Sequence, residues 1–343
     1  MVVTGRYRYG STLTRRAALA GLGATLPAAT LPARAAATGL IDVHHHLSPP
    51  DYVARIGRRT KLLPQVTEWT PDASIADMDG AGVATAVLSI TTPGLWFGDV
   101  AEAREVARAC NEYAAGLVRR YPGRFGSFAT LPMPDVEGSL TELAYALDVL
   151  QADGVMMFTS YGYWLGDPRA APVLEELNRR RAVLYTHPTS NQCCVNLLPG
   201  IPDTVVEYGT DTTRAIASLL FSGAARRYPD IRFIFSHAGG TAPFLVERFR
   251  FLAASPANAG KFPDGVQAEL QRFYYDTAQA YAPPPMAALR ALVPAERIVF
   301  GTDYPYRTAA EHVAGLQRIG FSATEWQAIG RGNAAGLLPR LAS

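Results

Sequence analysis

An eightfold alternation is the feature that most narrows what this chain can fold into. Short runs rich in β-branched and aromatic residues recur at Ile41–His45, Ala84–Ile90, Arg124–Thr130, Gly154–Thr159, Ala182–Thr186, Arg232–Ser236, Arg272–Asp276 and Arg297–Gly301. Each is nearly continuous in apolar residues, the pattern of strands buried on both faces. The segments between them show helical spacing, as in Val106, Cys110, Tyr113 and Leu117, in Leu140, Leu143, Leu147 and Leu150, or in Ile216, Leu219 and Leu220. Thr70-Pro71 reads as a helix N-cap followed by proline at the first helical position, and Ser322 to Glu325 as a capping box. Strands alternating with helices make parallel sheets, and eight such units predict an α/β fold, the (β/α)8 TIM barrel. The competing open, doubly wound sheet lacks its signature, because no GxGxxG follows an early strand. With 343 residues, 48% of them hydrophobic, the chain is long enough for one such barrel. It is expected to occupy residues 40–343, with no second domain. Three connections, 47–69, 189–211 and 253–271, are long enough to shape a pocket.

The segment before the barrel has a different composition. It carries the twin arginine Arg15-Arg16, an apolar stretch from Ala17 to roughly Ala29, and the small-residue exit Ala33-Arg34-Ala35. This pattern predicts a twin-arginine export signal over residues 1–35 and a periplasmic or secreted product. The apolar run is shorter than the about 20 residues of a membrane span, so no membrane attachment is expected after the signal is removed. Five arginines and no acid precede Asp42, and removing them from 32 basic residues leaves 27 against 30 acidic ones. Such a body offers no field for nucleic acid. Three cysteines make no disulfide framework, no CxxC suggests a thiolate zinc site, and a bond between the adjacent Cys193 and Cys194 would be strained.

Chemistry concentrates at the strand ends. Five of the six histidines and one aspartate fall at the C-terminal ends of predicted strands, where barrel active sites form. His44 and His46 are two apart on the first strand and so point to one face, into the barrel mouth, while His45 faces the helices. His187 ends strand five, His237 ends strand six and Asp303 ends strand eight. In a closed barrel these ends converge. Imidazole nitrogens with a carboxylate oxygen suit one divalent ion with coordination positions left open, zinc in the first place and manganese in the second. His312 reads as a plain helix-face histidine. Gly239 and Gly240, beside His237, are expected to leave room for a substrate.

The motifs Ile41-Asp-Val-His-His-His46, Trp69-Thr-Pro with Met78-Asp, Thr186-His-Pro, Ser236-His-Ala-Gly-Gly240, Gly301-Thr-Asp303 and Gly332-Asn-Ala334 resemble those of the amidohydrolase-related decarboxylases. That group includes aminocarboxymuconate-semialdehyde, resorcylate, methylsalicylate and carboxyvanillate decarboxylases. The resemblance implies His44, His46, His187 and Asp303 as metal ligands and His237 as the catalytic histidine that is not a ligand. Lys61 and Lys261 are the only lysines and both lie outside predicted strands, so no carbamylated lysine joins the site and it is mononuclear. The expected reaction is non-oxidative decarboxylation of a small aromatic or semi-aromatic carboxylic acid, with His237 or Asp303 delivering a proton to the ring carbon. If His237 instead activates a water, the same site hydrolyses an ester, lactone, amide or C–C bond; a metal-binding scaffold without catalysis is the third reading. Trp96, Phe97, Tyr161, Tyr163, Trp164, Tyr281, Tyr304 and Tyr306 follow strands two, four, seven and eight and are candidate substrate walls. Arg248 matches an arginine that, in the resembling family, approaches the substrate of its own or a neighbouring subunit, which leaves a homodimer open. No arginine just before Trp69 supplies a second carboxylate anchor, which argues against dicarboxylates.

Overall fold

The computed structural model describes residues 39–342, so the expected export signal lies outside the described residues. Eight strands appear where the apolar runs predict them: β1 Leu40–His46, β2 Val83–Ser89, β3 Phe125–Thr130, β4 Gly154–Phe158, β5 Val183–His187, β6 Arg232–Phe235, β7 Tyr274–Asp276 and β8 Ile298–Val299. They pair in parallel in sequence order from β1 to β8. β8 is two residues long, and the ring closes through single backbone hydrogen bonds. Val43 N–H donates to the Phe300 carbonyl at 3.0 Å, Asp303 N–H to the His44 carbonyl at 2.8 Å, and His46 N–H to the Tyr304 carbonyl at 2.8 Å. The result is a (β/α)8 barrel, with the segment after β8 clasped against the end of β1.

The local signals behave as their chemistry requires. Thr70 accepts from Ala73 N–H at 3.1 Å and starts the helix Pro71–Ala81, satisfying a donor that no helical carbonyl reaches. Ser322 and Glu325 form the reciprocal capping box of Ala323–Gln327. The longest crossover, Val100–Arg120, buries Val106, Cys110 and Leu117 against the sheet. Cys193 and Cys194 pair with each other as neighbours, whereas sequence reasoning disfavoured that bond, and Cys110 is free and buried. Among the described residues no helix is long and apolar enough to cross a membrane.

Inside the barrel, Phe128 from β3 stacks on Tyr185 from β5 with centroids 5.2 Å apart, and Tyr185 meets the edge of His44 at 5.4 Å. This aromatic layer is the floor on which the polar mouth is built.

Candidate active site

β1 delivers two imidazoles to one point. His44 Nε2 lies 3.2 Å from His46 Nε2, and both lie close to Asp303 Oδ1, at 3.1 and 3.0 Å. His187 completes the group; the four residues are buried and offer ligand atoms all within 4.8 Å of one another. His45 points the other way, as the alternation predicts: it bonds Ser74 Oγ on the helix Pro71–Ala81 at 3.1 Å and stacks on Tyr304.

Two observations show that a divalent ion fits. Bonds of about 2.0–2.1 Å to a shared zinc place neighbouring tetrahedral donors about 3.3 Å apart, close to the 3.0–3.2 Å found among His44, His46 and Asp303. The second ring nitrogen of each histidine is also engaged: His44 Nδ1 with Asp276 Oδ2 at 2.8 Å, His46 Nδ1 with the Ser89 carbonyl at 3.3 Å, and His187 Nδ1 with the Pro188 carbonyl at 2.9 Å. Those acceptors hold the proton on Nδ1 and turn the Nε2 lone pairs toward the common point. The local charge agrees. Burial disfavours the His44 imidazolium, but Asp276 and Asp303 outweigh it and push this group up to about 10, so the pocket favours a cation. Burial, with His46 and His44 nearby, holds His187 well below the usual histidine range, and burial also lowers His46. Asp303 is held well below the carboxylate range: burial works against this, and His44, His237 and His46 overcome it. His46 and His187 are thus held neutral and Asp303 ionised, the forms that bind metal, while His44 gives up its extra proton when an ion takes its place.

Asp276, at the end of β7, is a functional residue that sequence reasoning passed over. Its Oδ1 accepts from the backbone N–H groups of His237 at 2.7 Å and Ala278 at 3.0 Å, while Oδ2 orients His44. Asp276→Asn keeps the backbone contacts but presents an NH₂ to His44 Nδ1, favouring the tautomer with its proton on Nε2. Metal affinity should fall roughly 10–100-fold with the fold intact, as read by metal titration of chelated protein. Unchanged affinity would remove Asp276 from the site.

The second oxygen of Asp303 faces the cavity. Oδ2 receives His237 Nε2 at 3.3 Å and the Gln279 side-chain NH₂. His237 is thus beside a ligand without being one of the converging donors. Gln279 was not foreseen, and neither was the role of His312: this buried side chain is no plain helix-face residue, because its Nε2 accepts the Gln279 backbone N–H at 3.0 Å. His237, Ala238, Gln279 and Asp303 all have positive φ, at 53°, 56°, 52° and 65°. The glycines after His237 serve packing and not substrate access: a Cβ on Gly239 would lie 2.7 Å from the Tyr275 ring, and one on Gly240 would overlap the Gly209 carbonyl.

Above this centre opens a cavity of about 650 Å³. The connection 47–69 contributes Leu63, and the connection 189–211 contributes Thr204, Val205, Tyr208 and Gly209, whereas 253–271 contributes nothing to the lining. Of the aromatics considered from the sequence, Tyr306 lines it, and its ring lies 5.8 Å from His46. The others are placed elsewhere. Tyr304 is stacked on His45 on the helix side. Tyr161 donates to nothing in the cavity, its hydroxyl instead accepting from Phe158 N–H at 2.8 Å. Trp164 is tied to Asp211 at 2.7 Å, Tyr163 lies under the Arg169 guanidinium, and Tyr281 bonds Glu311 at 3.0 Å. Trp96 and Phe97 lie outside the lining, and Arg248 is exposed on the helix Val246–Ala253. Position after a strand predicts nearness to the mouth, but Tyr161, Trp164 and Tyr281 are drawn into loop packing by their own polar partners.

Known proteins resemble this chain over most of their length. The decarboxylase yanB of Aspergillus niger is 34% identical over 323 residues, covering 88% of this chain and 87% of its own. The 6-methylsalicylic acid decarboxylase of Penicillium expansum is 34% identical over 273 residues, covering 77% and 84%. The crystal structure of 5-carboxyvanillate decarboxylase from Sphingomonas paucimobilis superposes with a TM-score of 0.81 over 88% of this chain and 99% of its own, at 20% identity, a likeness of fold. Residues 41–340 match the amidohydrolase family, and with converging donors on β1, β5 and the turn after β8 the chain belongs to that family.

Proposed function

We propose that the protein is a metal-dependent, non-oxidative decarboxylase of a small aromatic carboxylic acid. The observation that carries this reading is the division of Asp303: one oxygen turns to the imidazoles of His44 and His46, and the other shares a hydrogen bond with His237 on the floor of the cavity. His44, His46, His187 and Asp303 would hold the ion, zinc or manganese. When bound, it supplies Lewis acidity that orients the carboxylate and stabilises charge developing beside it. His237, poised at the cavity, gives a proton to the ring carbon that bears the carboxylate. The C–C bond then breaks, its electron pair returns to the ring and CO₂ leaves. Asp303 Oδ2 keeps the His237 ring oriented, and Tyr208 and Tyr306 line the space in which an aromatic ring would lie. The lining holds one cationic side chain, Arg307, which is 3.8 Å from Glu311; this supports a single substrate carboxylate. The relatives named as decarboxylases support the same reaction.

The test is product analysis of the metal-loaded protein across hydroxybenzoates in ¹⁸O-labelled water. CO₂ release with no label in the organic product is expected; label in the organic product would make the enzyme a hydrolase, and metal binding with neither reaction would leave a scaffold. We further propose that the barrel works outside the cytoplasm, a reading supported by Arg15-Arg16 and the small-residue exit after them. Lysine at both arginine positions should hold the protein in the cytoplasmic fraction, and export undiminished by that change would refute it.

A further inference from the structure

Gln279 carries an oxygen that the reaction as described leaves unused. It follows β7 at φ 52°, a conformation that residues with side chains seldom adopt. The buried His312 holds it there. His312 Nδ1 donates to the Thr308 carbonyl at 3.1 Å, so Nε2 carries the lone pair that receives the Gln279 backbone N–H at 3.0 Å. The side chain is also fixed. Its NH₂ donates to Asp303 Oδ2, and since an ionised carboxylate only accepts, the orientation of the amide is decided. The amide oxygen is the other end of the same planar group. Among the described residues it receives no hydrogen bond, and Gln279 lines the cavity.

Apart from Thr204, which is exposed, the remaining hydroxyls of the lining are occupied with each other. Thr92 Oγ1 and Tyr208 OH are 2.8 Å apart, and Tyr306 OH donates to Thr91 Oγ1 at 3.4 Å. A ligand entering the cavity therefore meets Gln279 Oε1 as an oriented acceptor beside the metal donors. A carboxylate has no proton to offer it, and an unsubstituted ring has none either. A ring hydroxyl has one. We propose that Gln279 is the specificity-determining residue of this site, accepting a hydrogen bond from a ring hydroxyl of the aromatic acid, with His312 holding it in place; the proposal rests on the decarboxylase reading for the class of ligand.

The experiment compares benzoate with 2-, 3- and 4-hydroxybenzoate on the metal-loaded enzyme. Dissociation constants are measured by calorimetry at a temperature where turnover is negligible, and kcat/KM by CO₂ release, for the native protein, Gln279→Met and Gln279→Ala. Methionine keeps the length and removes the acceptor; alanine serves if methionine does not fold. The native protein is expected to prefer at least one hydroxylated isomer over benzoate. That preference should fall about twofold to tenfold in the variants, the worth of one neutral hydrogen bond, when each is assayed with enough metal to keep the site filled. A native protein indifferent to the hydroxyl, or a preference that changes less than about twofold in the variants, overturns the assignment. If no acid releases CO₂ but the binding preference exists and depends on Gln279, the decarboxylase reading fails and the assignment stands.

Discussion

Replacing His237 by alanine is expected to cost roughly 10²–10⁴-fold in turnover while leaving the metal in place. The four converging donors are untouched by the change, and the side chain it removes lies 14% exposed on the cavity side of Asp303. Backbone strain rises only modestly, because histidine tolerates φ 53° somewhat better than alanine but both carry the Cβ that makes this region costly. Asp303 Oδ2 retains its contact with Gln279, so the ligand carboxylate keeps one of its two anchors. An equal loss in kcat and kcat/KM would mark a group that acts only in the transition state. Metal analysis and turnover measured together decide the matter: loss of metal from His237→Ala, or turnover near the native level, would end the separation between ligand and acid.

Asp303→Ala should behave in the opposite way and lose both metal and activity. It takes one of four donors from the ion and removes the charge that keeps His44 and His46 facing it. The loss in affinity should exceed the about 10–100-fold that follows when only an outer partner is removed. Full occupancy in Asp303→Ala by elemental analysis would refute the ligand set, whatever the activity.

The barrel and the shared direction of His44 and His46 were legible from short-range rules, whereas the choice of His187 and Asp303 over His237 as ligands came from the family resemblance. Continuous apolar runs mark strands buried on both faces, and the two-residue spacing of His44 and His46 decides their common direction before any coordinate is known. Asp276, Gln279 and His312 obey no such rule. Their roles arise from how the turn after β7 meets β1 and the helix Ala309–Gln317, contacts between residues 232 and 33 positions apart in sequence. The aromatics misled for a related reason. Trp164 and Tyr281 do follow strands, but where a ring turns depends on a partner such as Asp211 or Glu311 that is remote in sequence. Gly239 and Gly240 showed that a small residue was needed, without showing that Tyr275 and Gly209 were the reason.

The four left-handed residues around the cavity have a thermodynamic consequence. Each costs on the order of 1–2 kcal/mol relative to an ordinary backbone conformation, so together they draw on a sizeable part of the about 5–15 kcal/mol by which a folded domain outlasts its unfolded chain. The same turns hold His237 and Asp303, so they cannot be relaxed without moving the chemistry. Binding of an ion to the folded form alone adds stability that grows with the logarithm of its free concentration. Resistance to heat is therefore set jointly by the polypeptide and by the supply of metal around it.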